Sequence, residues 1–175
     1  MAAVRGQVFE SFAHRTFQME RKDEYLVLTE LFATAPAPAS SETKSSASPQ
    51  VKFPVPRVTK LHSFKTAGSL PLGCYGVPIA RNFPGVDAVV RPNLGLQMTV
   101  SASHGFLAHS LVALKDQLGL DAPSELCVCI VCPPDVFDAV SWQPLLTKKG
   151  AKAKAIPKEL KSLRQFKLKL ELTAS

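Results

Sequence analysis

The sequence predicts an α/β domain, a sandwich in which a mixed sheet is flanked by helices. Three observations carry that expectation. Apolar residues recur at helical spacing over residues 4–20 and again from His104 to Leu118. ELCVCIVC at residues 125–132 is an almost unbroken apolar run of strand length, the pattern of a central strand covered on both faces. Between and after them lie short β-rich segments, so that helix, strands, helix, strand, short helix and strand follow one another along the chain. A chain of 175 residues supports one such core, and a single domain over 1–175 is expected.

In VRGQVFESFAHRTFQME, Val4, Val8, Phe9, Phe12, Ala13 and Phe17 make one apolar stripe among good helix formers. Glu10 and His14, four residues apart, share a face of that helix and either interact or stand exposed. Tyr25 to Phe32 has strand composition. The stretch from 35 to 50 gathers Pro, Ser, Ala and Thr with almost no large apolar residue, which predicts a flexible insertion. VKFPVPRVTKLHSF at 51–64 resumes as a strand whose start Pro54 and Pro56 confine to an edge or make irregular. GSLPLGCYGVPIARNFPG reads as a long turn-rich connection.

Two short strands follow, Val86 to Arg91 and Leu94 to Ser101, joined as a hairpin by the turn chemistry of Pro92 and Asn93. Alternation places Gln97 and Thr99 on one face and Leu96, Met98 and Val100 on the other. Gly119 is the expected stop of the second helix. After the central strand, Pro133 and Pro134 lead into a short helix over Asp135 to Trp142. Lys148 to Lys161 is expected as a mobile basic segment. RQFKLKLEL at 164–172 alternates with period two, predicting a half-buried or edge strand with its lysines in solvent.

Hydrophobic residues at 46% and charged residues at 20% exclude disorder along the whole length. The net charge of +7 is localised: nine of the 21 Lys and Arg but only two of the 14 Asp and Glu fall in residues 148–175, leaving the preceding residues balanced. Lys148, Lys149, Lys152, Lys154, Lys158 and Lys161 therefore form either a polyanion-binding footprint, supplying affinity for phosphates without sequence readout, or a solvated appendage. Trp142 and the phenylalanines do not interleave with basic residues, so no stacking platform is read from the sequence.

Of the four cysteines, Cys127, Cys129 and Cys132 crowd into six residues. Cys127 and Cys129 point the same way from one strand and are poorly placed to bridge, so reduced thiols and a cytosolic or nuclear setting are expected. No partner His or Cys stands at zinc-knuckle spacing, and the thiols are read as small buried hydrophobes rather than zinc ligands. No signal peptide, membrane span or GxxxxGK[ST] motif occurs in the sequence, so neither membrane association nor ATP hydrolysis is expected of it.

The remaining polar residues in strand-like surroundings are the chemical candidates. Glu10 on a helix, Asp87 at the start of one hairpin strand and Gln97 on the other are oxygen donors suited to a hard cation such as Mg²⁺ or Mn²⁺. Spacing alone also allows Asp87 to cap a turn and Gln97 to satisfy a backbone group.

GQVFESFAHRTF at 6–17, FPGVDAVV and LGLQMTVSASH resemble the C-terminal nuclease-like domain of Crinkler-type effectors and of the related retrotransposon hot spot proteins. That family is assigned to the restriction-endonuclease-like, PD-(D/E)XK, superfamily, whose core is a helix, a three-stranded meander, a helix and another strand. The likeness runs from about Gly6 to Leu172. It implies Glu10 as the helix-borne acid, Asp87 as the acid of the PD-like strand, Gln97 at the (D/E) position and His14 beside them, with Mg²⁺ or Mn²⁺ held by Glu10, Asp87 and Gln97. It further implies nucleic acid as partner, DNA before RNA, host nuclear proteins as others, and a secreted effector acting in a host nucleus. Thr99 stands where the superfamily has a lysine. Threonine brings no charge, so the resemblance implies either a compensating lysine, Lys115 being the nearest in the core, or a catalytically degenerate binding domain.

Overall fold

The computed structural model describes residues 2–19, 23–33, 48–80, 83, 85–121 and 124–171. The expected insertion lies outside the described residues up to Ala47, as does Leu172 at the end of the expected last strand. The chain opens with α1 (Ala2–Gln18), then β1 (Tyr25–Leu31), β2 (Gln50–Pro54) and β3 (Arg57–Phe64). After a 3₁₀ turn at Ala67–Ser69 come β4 (Cys74–Pro78), β5 (Ala88–Val90), β6 (Leu94–Met98), β7 (Phe106–Leu107) and α2 (Ala108–Gln117). β8 (Cys127–Cys132), α3 (Pro134–Phe137), β9 (Leu145–Leu146), a 3₁₀ turn at Lys158–Leu160 and β10 (Arg164–Lys169) complete it.

Among the described residues, eight strands form one mixed sheet in the order β2-β1-β10-β8-β6-β5-β4-β3, and β7 pairs with β9 in a small parallel ribbon. β4, β5 and β6 are an antiparallel meander, and β6, β8 and β10 run parallel. The segment expected as one strand over 51–64 is two. Pro56 has no N–H for the ladder, and the chain passes there from β2 at one edge of the sheet to β3 at the other. Strands two residues apart in the chain at opposite edges require a sheet rolled until its edges approach.

α1 packs on one face of this curl through Phe9, Ala13 and Phe17, against Leu28, Tyr75, Val90, Leu96, Cys129 and Phe166. α2 covers the other face with Leu111 and Leu114, against Val86, Val89, Val128, Ile130 and Leu145. Of the helix stripe read from the sequence, Phe9, Ala13 and Phe17 are buried and Phe12 partly so, whereas Val4 and Val8 are exposed; α2 ends before Gly119 at φ +66° as expected. No helix among the described residues is long and apolar enough to cross a membrane.

Four further expectations change. The turn-rich connection contains a strand, β4. The short helix ends at Phe137, and the chain runs irregularly through Trp142. Residues 148–161, expected to be mobile, have a defined course: Leu146 bridges Lys152, and Leu160 is buried. β10 is no edge strand but lies between β1 and β8. Its charges have partners that permit this. Lys167 Nζ donates to the carbonyls of Phe137 (2.9 Å) and Val140 (3.1 Å), and Arg164 grips Glu30 with two bonds of 2.8 Å. The Arg164 contact holds the Glu30 carboxyl below its ordinary range.

Candidate functional site

Hairpin register builds the site. Ala88 pairs with Leu96, and the ladder continues one step further because Asp87 N–H donates to Leu96 O at 2.8 Å. Asp87 thereby sits beside the end of β6. Its Oδ2 accepts from Gln97 Nε2 at 2.7 Å and from the Met98 N–H at 2.6 Å. Gly95 lets Val86 and Leu114 pack close against β6: a Cβ there would lie 2.7 Å from Val86 Cγ1 and 3.3 Å from Leu114 Cδ2. Both bonds fall on one carboxylate oxygen, and Oδ1 meets no hydrogen-bond partner among the described residues.

Asp87, Glu10 and His14 line a cleft of about 310 Å³ walled by Val77, Pro78 and Phe83. Glu10 stands at its mouth with its side chain 46% exposed, and His14 lies deeper at 17%. Burial pushes the Asp87 carboxyl up to about 6; the Met98 hydrogen bond opposes that rise and the Glu10 charge adds to it. Two carboxylates thus share the cleft, and neither a lysine nor an arginine lines it among the described residues.

Behind Glu10 the pairing with His14 read from the sequence continues to Tyr75, which the sequence did not reveal. His14 Nε2 faces Glu10 Oε1 at 3.7 Å, and His14 Nδ1 is hydrogen-bonded to the Tyr75 hydroxyl. One ring nitrogen is thus engaged by the Tyr75 hydroxyl while the other faces the Glu10 carboxyl. Burial lowers the His14 pKa, against the opposing pull of Glu10. Tyr75, stacked on Phe17 at 5.5 Å, has its pKa raised by burial and keeps its proton. His14 thus stands between Glu10 and Tyr75, held by the Tyr75 hydroxyl.

The other candidates lie elsewhere. Gln97 reaches the cleft only through its bond to Asp87. Thr99 is buried, and its hydroxyl accepts from Ser101 N–H at 3.0 Å in the turn after β6. Lys115 does not compensate for it, because its buried ammonium donates to Glu159 O at 3.0 Å across the face covered by α2. Lys148, Lys149, Lys152, Lys154, Lys158 and Lys161 are all exposed, and none lines the cleft. Cys127, Cys129 and Cys132 are buried, with thiol pKa values pushed up by that burial, to about 11 for Cys127 and Cys132.

The oxygen donors present suit a small hard cation. Mg²⁺ commonly takes one or two carboxylates and completes its shell with water and substrate phosphate, and here two anionic groups share a cleft without a cationic side chain among the described residues. Among those residues no group of three His, Cys, Asp or Glu side chains converges at metal-ligand distance, so protein donors alone do not make a closed cage. Comparison with family models, with curated proteins and with solved structures gives no match in any of the three.

Proposed function

We propose that the chain is a nuclease-like, nucleic-acid-binding module of restriction-endonuclease-like architecture that hydrolyses phosphodiesters with Mg²⁺ or Mn²⁺. The observation that carries this reading is the meeting of Glu10 and Asp87 in one cleft, from elements far apart in the chain, with Gln97 fixed on Asp87. The order α1, then β4–β5–β6, then α2 and β8 is compatible with the helix, meander, helix and strand of that architecture, with β1–β3 added between α1 and β4 and β7 between β6 and α2. Membership among Crinkler-type effectors, a preference for DNA, host nuclear proteins as partners and action in a host nucleus rest on the sequence resemblance.

In this reading Asp87 and Glu10 hold the metal. Bound there, it would polarise a phosphate oxygen and acidify a water. Gln97 and the Met98 N–H pin one oxygen of Asp87 and leave the other for the cleft, and His14, held by Tyr75, faces Glu10. Glu10→Gln and Gln97→Ala are expected to lower cleavage by about 10- to 100-fold, the usual cost of disturbing a metal ligand or its hydrogen-bond partner. Affinity for nucleic acid, measured without metal, should stay within about twofold because phosphate attraction by the exposed lysines persists. Gln97→Ala should also need more metal for half-maximal rate. Loss of binding together with unfolding in both variants would make these residues structural and sink the assignment.

A second reading, a catalytically degenerate domain that only binds nucleic acid or a host protein, is favoured by one observation. With Thr99 spent in a turn and Lys115 on the other face, no cation among the described residues stands in the cleft to stabilise developing charge. Binding without cleavage under any divalent metal would select it.

A further inference from the structure

The basic segment returns beside the chain's single tryptophan. After β9 the chain reverses at Thr147–Gly150: Gly150 N–H donates to Thr147 O (2.9 Å), Thr147 N–H to Ala151 O (2.7 Å) and Ala153 N–H to Leu145 O (2.7 Å). The reversal returns Lys152 and Lys154 to the side of Trp142. All three line an open groove of about 410 Å³ whose apolar surface includes Pro144, Leu145 and Ile156. No acidic side chain lines it among the described residues.

The support beneath the indole is rigid. Gln165, wholly buried, donates to Gln143 O at 3.0 Å and accepts from Gln143 N–H at 2.8 Å, while the Gln143 amide donates to Ser141 O and Ala102 O. The residues on both sides of Trp142 are therefore tied down. This groove shares no lining residue with the Glu10–Asp87 cleft.

We infer that the groove takes single-stranded nucleic acid, one unpaired base lying on the Trp142 indole and the adjoining phosphates on Lys152 and Lys154. The inference deepens the proposed function and rests on it for the class of ligand. An aromatic, apolar floor with a cationic rim complements a ligand that alternates flat apolar rings with negative charge, which an unpaired strand does. A duplex offers the charge but keeps its bases stacked, and an acidic peptide offers the charge without rings.

Because Trp142 is the only tryptophan, its emission reports on the groove directly. Titration with oligo-dT is expected to quench it saturably in the wild type and equally in Asp87→Ala. The Lys152→Ala/Lys154→Ala pair should bind at least about tenfold more weakly, with a slope of log K against log[salt] shallower by about 1.4, from roughly 0.7 per phosphate. Trp142→Ala, followed by anisotropy of a labelled oligonucleotide, should weaken binding about tenfold. Oligonucleotide bound with unchanged emission would overturn the inference, as would quenching of equal strength by duplex DNA or by poly-glutamate. Quenching without cleavage leaves the groove standing and the nuclease reading fallen; cleavage without quenching does the reverse.

Discussion

Asp87→Asn is expected to stabilise the folded chain by about 2 kcal/mol near pH 8 and by nothing below about pH 4. The folded protein keeps a proton on Asp87 up to about pH 6, whereas the unfolded chain loses it near 3.8, so between these values the folded state binds more protons. Stability from this group is complete below the lower value and is lost as pH rises through the upper one. Full conversion of the shift would be about 3 kcal/mol; partial contact with water reduces it to about 2. Asparagine keeps an oxygen to accept from Gln97 and Met98 and carries no charge to desolvate. Thermal melts should show the variant about 6 °C above the wild type near pH 8, with the curves merging in acid. Equal melting temperatures near pH 8, or a gap that persists in acid, would contradict the burial of a charged Asp87. A residue that costs stability when ionised is retained more readily for chemistry than for folding.

Gln165→Ala is expected to destabilise by about 3 kcal/mol, lowering the melting temperature by about 9 °C. The side chain is fully buried in β10 and spends both ends of its amide on the backbone of Gln143. Alanine leaves a buried N–H and a buried carbonyl unpartnered and opens a void beside them. The damage should also reach the groove, because Gln143 anchors the chain next to Trp142 and binds the His104 N–H from the far side. Trp142 emission in the folded variant should shift to the red as the indole gains water. A loss under about 1 kcal/mol in urea melts would mean that water replaces the amide without cost.

The parts of this fold that were legible in the sequence are those held by local chemistry. The stripe of α1, the unbroken apolar run of β8 and the proline turn of the β5–β6 hairpin each state their structure within a few residues, and the hairpin register alone brings Asp87 to Gln97. What was not legible depends on distant partners. β4 is five residues among glycines and prolines, and it becomes a strand only because β3 and β5 lie on either side; Tyr75, the hydrogen-bond partner of His14, was hidden with it. β10 alternates like an edge strand, yet carbonyls near α3 accept its Lys167 and Glu30 accepts its Arg164. The lysines around Trp142 meet it only after the chain reverses at Gly150, so sequence interleaving could not reveal them.

In the proposed function the Glu10–Asp87 cleft is a metal-dependent phosphodiester site. Its most direct measurement is cleavage of plasmid DNA and of RNA by purified wild type and Asp87→Ala, with Mg²⁺ or Mn²⁺ and again with the metal chelated. Cleavage by the wild type is expected to stop on chelation and to fall at least about 100-fold in Asp87→Ala, with oligonucleotide binding retained. Cleavage that survives both chelation and the substitution, or nucleic acid bound by both proteins and cut by neither, would contradict that function.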